Sequence, residues 1–434
     1  MHNLAIALHK QGHLVTGSDD EIFDPARSNL EKYGLLPDRA GWYHDRIQDD
    51  LDYIILGMHA RKENPELKKA RESGIKIYSF PEFMYEQTRN KKRIVIGGSH
   101  GKTTTTAMIM HVLKNLSIPH DYLVGSSLDG YETMVDFSSK SEIAVFEGDE
   151  YLTSPLDPRP KFHLYHPFLA LVTGVAWDHM NVFPTWEIYK EQFRLFAGMV
   201  EQGGSYIYFN EDPVLQEIAA DLKKDIEMVP YKALDAHIRD GQTYLKVSKR
   251  SIPIPVFGKH NLQNMAGAWE VCKRLGISID DFVSAMQTFT GAGKRLEKIY
   301  SDERKIIFRD FAHAPSKVAA TVSSVKEQYP GKKLFACLEL HTFSSLNKEF
   351  LPQYAGSLDK AEEAVVFFNP DVVRHKKLPP ITHQDIMKAF EREDLIVYSD
   401  LNRLESWYDQ VCTKEGIVLM MSSGNFKGLR LINS

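Results

Sequence analysis

The residues with the clearest chemical promise are Gly97-Gly98-Ser99-His100-Gly101-Lys102-Thr103-Thr104. The apolar run Ile94-Val95-Ile96 leads into them, and 107–113 follows with the pattern of a helix. Strand, glycine loop and helix in that order can cradle phosphate. Glycines let backbone N–H groups converge on phosphate oxygens, and a helix N-terminus adds its positive dipole. Lys102 would stand against β- and γ-phosphates, and Thr103 or Thr104 would offer a hydroxyl to Mg2+. The long form of the motif places a glycine where Ile96 stands, so the match is to a shortened G-x-x-G-K-T loop. A glycine turn capping a helix beside an unrelated lysine is the plain alternative, but the context is right on both sides.

Acids and histidines follow at strand ends. The run 143–146 ends in Glu147-Gly148-Asp149-Glu150. A carboxylate past the C-terminal end of a parallel strand, beside a phosphate loop, suits a Mg2+ ligand, and Glu147 is the first choice. A solvated acidic turn would have the same composition. The run 169–173 is followed by Asp178-His179-Met180, where His179 could ligate a second metal ion or orient a carboxylate. Alone, such a histidine is more commonly a capped or surface residue. A third segment, Gly258-Lys259-His260-Asn261-Leu262-Gln263-Asn264, opens a helix. The Asn264 amide can donate and accept at once, which fits the edge of adenine, while helix capping by Asn261 accounts for the spacing equally well.

These groups need elements to position them. At roughly 150 residues per domain, 434 residues suggest about three domains. Apolar residues at 43% and charged residues at 26% are globular values and exclude a disordered chain. A net charge of −5 excludes a general nucleic-acid or polybasic membrane binder. Cys272, Cys337 and Cys412 lie too far apart for a disulfide scaffold or zinc finger, as expected of a reducing cytoplasm. No apolar run approaches the roughly 20 residues of a membrane span. The first residues lack the pattern of a signal peptide.

Short apolar runs at 53–57, 93–97, 143–146, 169–173, 333–337, 363–368 and 416–420 alternate with helical patterns. Buried parallel strands read this way because helices cover both faces. The predicted class is α/β, with three domains of mainly parallel sheet flanked by helices, near 1–90, 91–291 and 292–434. The first begins with a helix over 3–10 and a strand over 14–19 that ends in Asp19. In a nucleotide-binding βαβ unit, a strand and a glycine-rich turn precede that helix. Here they are absent: either the domain is atypical or the sequence starts at an internal methionine, and the second reading is preferred.

Taken together, these motifs resemble the Mur ligases, the ATP-dependent amide-forming enzymes of peptidoglycan synthesis. The resemblance runs over essentially the whole chain. Besides the segments above, it is carried by Lys294-Arg295-Leu296-Glu297 and Asp310-Phe311-Ala312-His313-Ala314-Pro315. It implies a Rossmann-like N-terminal domain without its first strand, a central P-loop ATPase domain and a Rossmann-like C-terminal domain. It implies ATP held by Gly98, Ser99, Gly101, Lys102, Thr103 and Thr104, with Asn264 at adenine, Arg295 at the terminal phosphates and Asp310 at the ribose. Mg2+ would be held by Thr103, Glu147 and His179, and His100 would lie near the reacting carboxylate. Ser18, Asp19 and Asn64 would meet a UDP-sugar, and His313, His341 and Ser344 the incoming amine.

The His100 form of the loop resembles the branch that uses UDP-N-acetylmuramate. One member adds L-alanine; another adds the tripeptide L-alanyl-γ-D-glutamyl-meso-diaminopimelate during recycling. Val15 to Asp19, Glu147 to Tyr151, Asp157 to Phe162, Asp310 to His313 and Met421 to Gly428 look more like the tripeptide enzyme. Glu339-Leu340-His341-Thr342-Phe343-Ser344-Ser345 has no arginine to pair with a small amino acid's carboxylate. It also departs from the tripeptide pattern, where an arginine usually stands near His341, and Ala314 stands where the family often has a second histidine. The implied reaction phosphorylates the lactyl carboxylate with ATP, and the amine then attacks the acyl phosphate. The competing readings are L-alanine addition and a nucleotide-binding relative without ligase activity. The expected partners are these small molecules, with no nucleic acid and no membrane, for a monomer or weak homodimer.

Overall fold

All seven apolar runs form strands, and all seven pair in parallel. The computed structural model describes residues 1–431 except 59, 129, 155, 178–181, 223–224, 292 and 294. The chain divides into two compact units, one of Met1–Lys232 with Asn264–Ala285, the other of Ala233–Gln263 with Met286–Ser434. The expected boundary near residue 90 lies inside the first unit.

In the first unit, a seven-stranded sheet runs in the order Val135–Asp136, Asp121–Leu123, Ile143–Glu147, Lys92–Gly97, Leu169–Val172, Ser205–Phe209 and Glu227–Tyr231. Only the Val135–Asp136 edge is antiparallel. Lys92–Gly97 is the central strand, and Ile94, Val95 and Ile96 are fully buried because both faces of the sheet are covered. The register pairs Ile96 with Glu147, so the Glu147 strand ends beside the glycine loop. Phe162 is fully buried and stacks on Phe196 at 4.5 Å between ring centroids, on the face where Gly97 leaves no room for a larger side chain.

The N-terminal segment of this unit holds a two-stranded parallel sheet, Tyr53–Leu56 with Lys76–Ser79. The expected helix is present as His2–Lys10, whose Leu4, Ala7 and Leu8 pack in one cluster with Phe83 and Phe137. The strand expected over 14–19 is not formed. A strand exists only through its ladder, and no described strand pairs with this segment; Leu14 is 98% exposed. Helix Phe80–Thr88 starts with a reciprocal Ser79–Glu82 capping box.

The second unit contains a six-stranded sheet in the order Glu297–Ser301, Lys305–Asp310, Gly416–Met421, Leu334–Leu340, Glu363–Phe368 and Ile396–Tyr398. Glu297–Ser301 is antiparallel and the rest are parallel. The last strand in the chain, Gly416–Met421, inserts between Lys305–Asp310 and Leu334–Leu340, which creates a switch point in the strand order. This unit also holds a three-stranded antiparallel sheet absent from the sequence reading: Ala236–Arg239, Gln242–Val247 and Arg250–Ile254. Among the described residues, no helix is long and apolar enough to cross a membrane.

Candidate active site

The glycine loop joins the Lys92–Gly97 strand to helix Lys102–Asn115. Gly98 has φ +131°, and a Cβ there would lie 2.3 Å from the Thr173 hydroxyl. Gly101, the residue before the helix, has φ +78°, and its Cβ would lie 2.2 Å from Asn264 Oδ1. Both positions need glycine for conformation and for space. The loop is further fixed from the neighbouring strand end: Ser99 N–H donates to Gly174 O at 2.9 Å, and the Thr173 hydroxyl donates to the His100 carbonyl. The His100 side chain is half-buried.

Lys102 Nζ makes an ion pair of 2.7 Å with Glu150 Oε2 and donates to Gly98 O. Burial alone would lower the lysine's pKa, but the carboxylates of Glu150, Asp149 and Glu147 outweigh it and the pKa is raised. Lys102 is therefore a fixed cation at the mouth of the loop. Glu150 is 1% exposed and also accepts from Tyr189 OH at 3.3 Å; that hydroxyl lies 2.8 Å from Ser99 Oγ. The sequence reading placed Glu150 in the acidic cluster but gave it no role. No spacing rule could have found the contact, because Lys102 and Glu150 meet only through adjacent strands.

The Thr103 hydroxyl donates to Glu147 Oε1 at 2.7 Å, and Gly125 N–H donates to Glu147 Oε2 at 2.7 Å. The two oxygen groups proposed for Mg2+ thus sit together beside the loop. Hard oxygens suit that ion, which takes few protein ligands and fills its shell with water and phosphate. Among the described residues there is no group of three or more His, Cys, Asp or Glu placed to hold a metal. His179 lies outside the described residues. Thr104 is half-buried in the first helical turn. Asn264, in helix Lys259–Arg274, presents its amide to Gly101, so the structure brings this residue to the glycine loop. Asn261 instead donates to Phe257 O at 3.1 Å.

In the second unit, Asp310 ends the Lys305–Asp310 strand. Its carboxylate accepts from Ala312 N–H at 2.7 Å, from Leu296 N–H at 2.5 Å and from the Thr321 hydroxyl at 3.3 Å. Burial raises its pKa, against the opposing pull of those amides, Arg295 and His260. His260 is lowered by burial, with Asp310 opposing. The Arg295 guanidinium lies 4.2 Å from the Phe311 ring centre. Asp310 therefore organises the turns that carry Arg295 and His313.

The remaining candidates are divided between the two units. His313 shares a hydrogen bond of 2.8 Å with Phe311 O through Nδ1. His341 follows the Leu334–Leu340 strand, with Nδ1 3.9 Å from Glu339 Oε1. Ser344 is half-buried in a turn closed by its neighbour Ser345, whose N–H donates to the Thr342 hydroxyl at 3.1 Å. In the N-terminal segment, Ser18 donates to Glu66 Oε1 at 2.9 Å, Asn64 Oδ1 caps helix Pro65–Glu72, and Asp19 is exposed.

The family model for the Mur ligase middle domain matches residues 96–272, the stretch holding the glycine loop, Glu147 and Asn264. A UDP-N-acetylmuramate–L-alanine ligase of Streptococcus mutans is 30% identical over 379 residues, covering 83% of this chain and 78% of that one. The chain belongs to the Mur ligase family. As a Mur ligase it is an ATP-dependent, ADP-forming amide ligase of peptidoglycan building. Two solved structures share its fold. The UDP-N-acetylmuramate–alanine ligase of Thermotoga maritima has a TM-score of 0.70 at 20% identity, covering 98% of this chain and 94% of that one. The murein peptide ligase of Psychrobacter arcticus has a TM-score of 0.64 at 22% identity, covering 99% and 94%.

Proposed function

We propose that this Mur ligase joins the lactyl carboxylate of UDP-N-acetylmuramate to the amine of L-alanyl-γ-D-glutamyl-meso-diaminopimelate. ATP is the phosphoryl donor. The observation that carries the reading is the loop 98–104, with the Lys102 ammonium beside it and the Thr103–Glu147 oxygen pair at 2.7 Å. A carboxylate is a poor electrophile at neutral pH, and phosphorylation gives it a good leaving group. That step brings two anions together, so charge neutralisation is the main task.

Lys102 supplies one fixed positive charge, and the start of helix Lys102–Asn115 adds its dipole. Thr103 and Glu147 would hold Mg2+, which neutralises phosphate charge when bound. Asn264 supports Gly101 and would present its amide to adenine, and His100 would face the reacting carboxylate. Arg295 would contact terminal phosphates, and the buried Asp310 would act on ribose chiefly through the turns it holds. Ser18, Asp19 and Asn64 remain the proposed UDP-sugar contacts, and His313, His341 and Ser344 the acceptor contacts.

The acceptor reading rests on the loop 339–345, which has no arginine for a small amino acid's carboxylate. L-alanine addition is the second reading, favoured by the activity named for the Streptococcus mutans relative. The test is a coupled assay with ATP, Mg2+ and UDP-N-acetylmuramate, with either acceptor supplied and ADP and product mass both followed. Amide product with the tripeptide supports the first reading; product with free L-alanine alone replaces it with the second. ATP binding without any acyl phosphate trapped by hydroxylamine would reject both.

A further inference from the structure

The carboxylate of Glu339 joins the ends of two paired strands in the second unit. It is 2% exposed and stands one residue before the end of Leu334–Leu340. A carboxylate so buried must be satisfied by donors. Its Oε2 accepts from the Ser422 hydroxyl and from Phe426 N–H at 2.9 Å. Ser422 Oγ in turn accepts Gly424 N–H at 2.7 Å, and Ser422 N–H donates to Asp310 O at 2.9 Å. Its other oxygen faces His341 Nδ1 at 3.9 Å.

The turn that Glu339 grips is held against its own preferences. Phe426 and Lys427 have φ +51° and +57°, a region that costs a residue with a Cβ about 1–2 kcal/mol. Such a conformation persists where surrounding bonds over-determine it. Gly424 is pressed against the same carboxylate: a Cβ there would lie 2.9 Å from Glu339 Oε2 and 3.0 Å from His341 Cγ. All of this sits where Gly416–Met421 inserts between two earlier strands, and crevices at such switch points take ligands.

We infer that Glu339 is a positioning residue for the amine acceptor, clamping the His341 loop to the 422–426 turn so that the acceptor enters a preformed mouth. The inference rests on the ligase reading above. The contacts of Glu339 lie within its own unit, so its loss should act on the second half-reaction and spare the first. The Glu339→Gln amide keeps an oxygen that can accept from Ser422 and Phe426, so it preserves most of the clamp. Glu339→Ala removes it, and Gly424→Ala sets a Cβ against both the carboxylate and His341 while keeping the glutamate side chain.

The test measures acceptor KM with ATP and UDP-N-acetylmuramate saturating, and separately hydroxamate formation when hydroxylamine replaces the acceptor. In Glu339→Ala and Gly424→Ala, acceptor KM rises about tenfold or more, the factor that one lost charge-assisted hydrogen bond produces. Hydroxamate formation stays near the wild-type rate, and Glu339→Gln restores most of the acceptor KM. The role of Glu339 is overturned if acceptor KM is unmoved in the Gly424→Ala and Glu339→Ala proteins. It is equally overturned if hydroxamate falls in step with amide product, which is the mark of general damage. Wild-type protein that forms no hydroxamate with either acceptor omitted defeats the ligase reading itself, a separate result.

Discussion

Replacing Gly101 with alanine should disable the nucleotide loop through one identifiable atom. At φ +78° the added Cβ costs about 1–2 kcal/mol of backbone strain. It would also stand 2.2 Å from Asn264 Oδ1, so loop or amide must give by roughly 1 Å to reach ordinary contact. Misplacement by about 1 Å at a reacting centre costs on the order of 10²-fold in rate. Gly74 provides the control: its φ is +69°, but a Cβ there meets nothing within 4 Å. Gly74→Ala carries the strain alone. Gly101→Ala should lose at least as much thermal stability as Gly74→Ala, and only Gly101→Ala should lose ATP-dependent hydroxamate formation, by about 10²-fold. Equal turnover in the two proteins would refute the claim that Asn264 and Gly101 are packed together to shape a phosphate site.

Other perturbations separate the remaining parts. Glu150→Gln removes the anion paired with Lys102; KM for ATP should fall, because a competing negative charge is gone, while kcat drops as the ammonium loses its anchor, and steady-state kinetics will show whether the two move oppositely. Glu132, which accepts from Lys10, Lys32 and Tyr33, has its pKa depressed from 4.5 to about 2. Its stabilisation is fully present above pH 4.5 and is lost as pH falls toward 2. The melting-temperature gap between wild type and Glu132→Gln should therefore be open at pH 7 and close at low pH. Asn64→Ala removes a helix cap and should cost about 1 kcal/mol in denaturant unfolding of the ligand-free protein.

The strands were legible because burial on both faces leaves unbroken apolar runs, as at 94–96 and 365–368. The glycine loop was legible as strand, turn and helix because its glycines answer to backbone geometry, which spacing encodes. The three-stranded antiparallel sheet was overlooked although Asp240-Gly241, with φ +53° and +72°, is a two-residue hairpin signal. Its flanking residues are only partly alternating, and the apolar-run criterion passed over them. The 14–19 segment has strand-like composition, but pairing decides strands and composition does not supply a partner. Glu150 and Glu339 could not be assigned from spacing. Each acts through a residue that follows another strand, Lys102 at a helix start or Ser422 in a turn, and folding alone brings those together. The bonds that the Asp310 carboxylate accepts from Leu296, Ala312 and Thr321 likewise cannot be read from spacing.

The central claim is that the loop after Ile96 holds a nucleotide's phosphates against the Lys102 charge. Its most direct measurement is a calorimetric titration of a non-hydrolysable ATP analogue with Mg2+ into wild-type protein and into the double variant Lys102→Met/Glu150→Gln, which strands no buried charge. Saturable binding to the wild type and about 10²-fold or weaker affinity in the variant is the predicted result. Equal affinity in the two proteins would contradict the account.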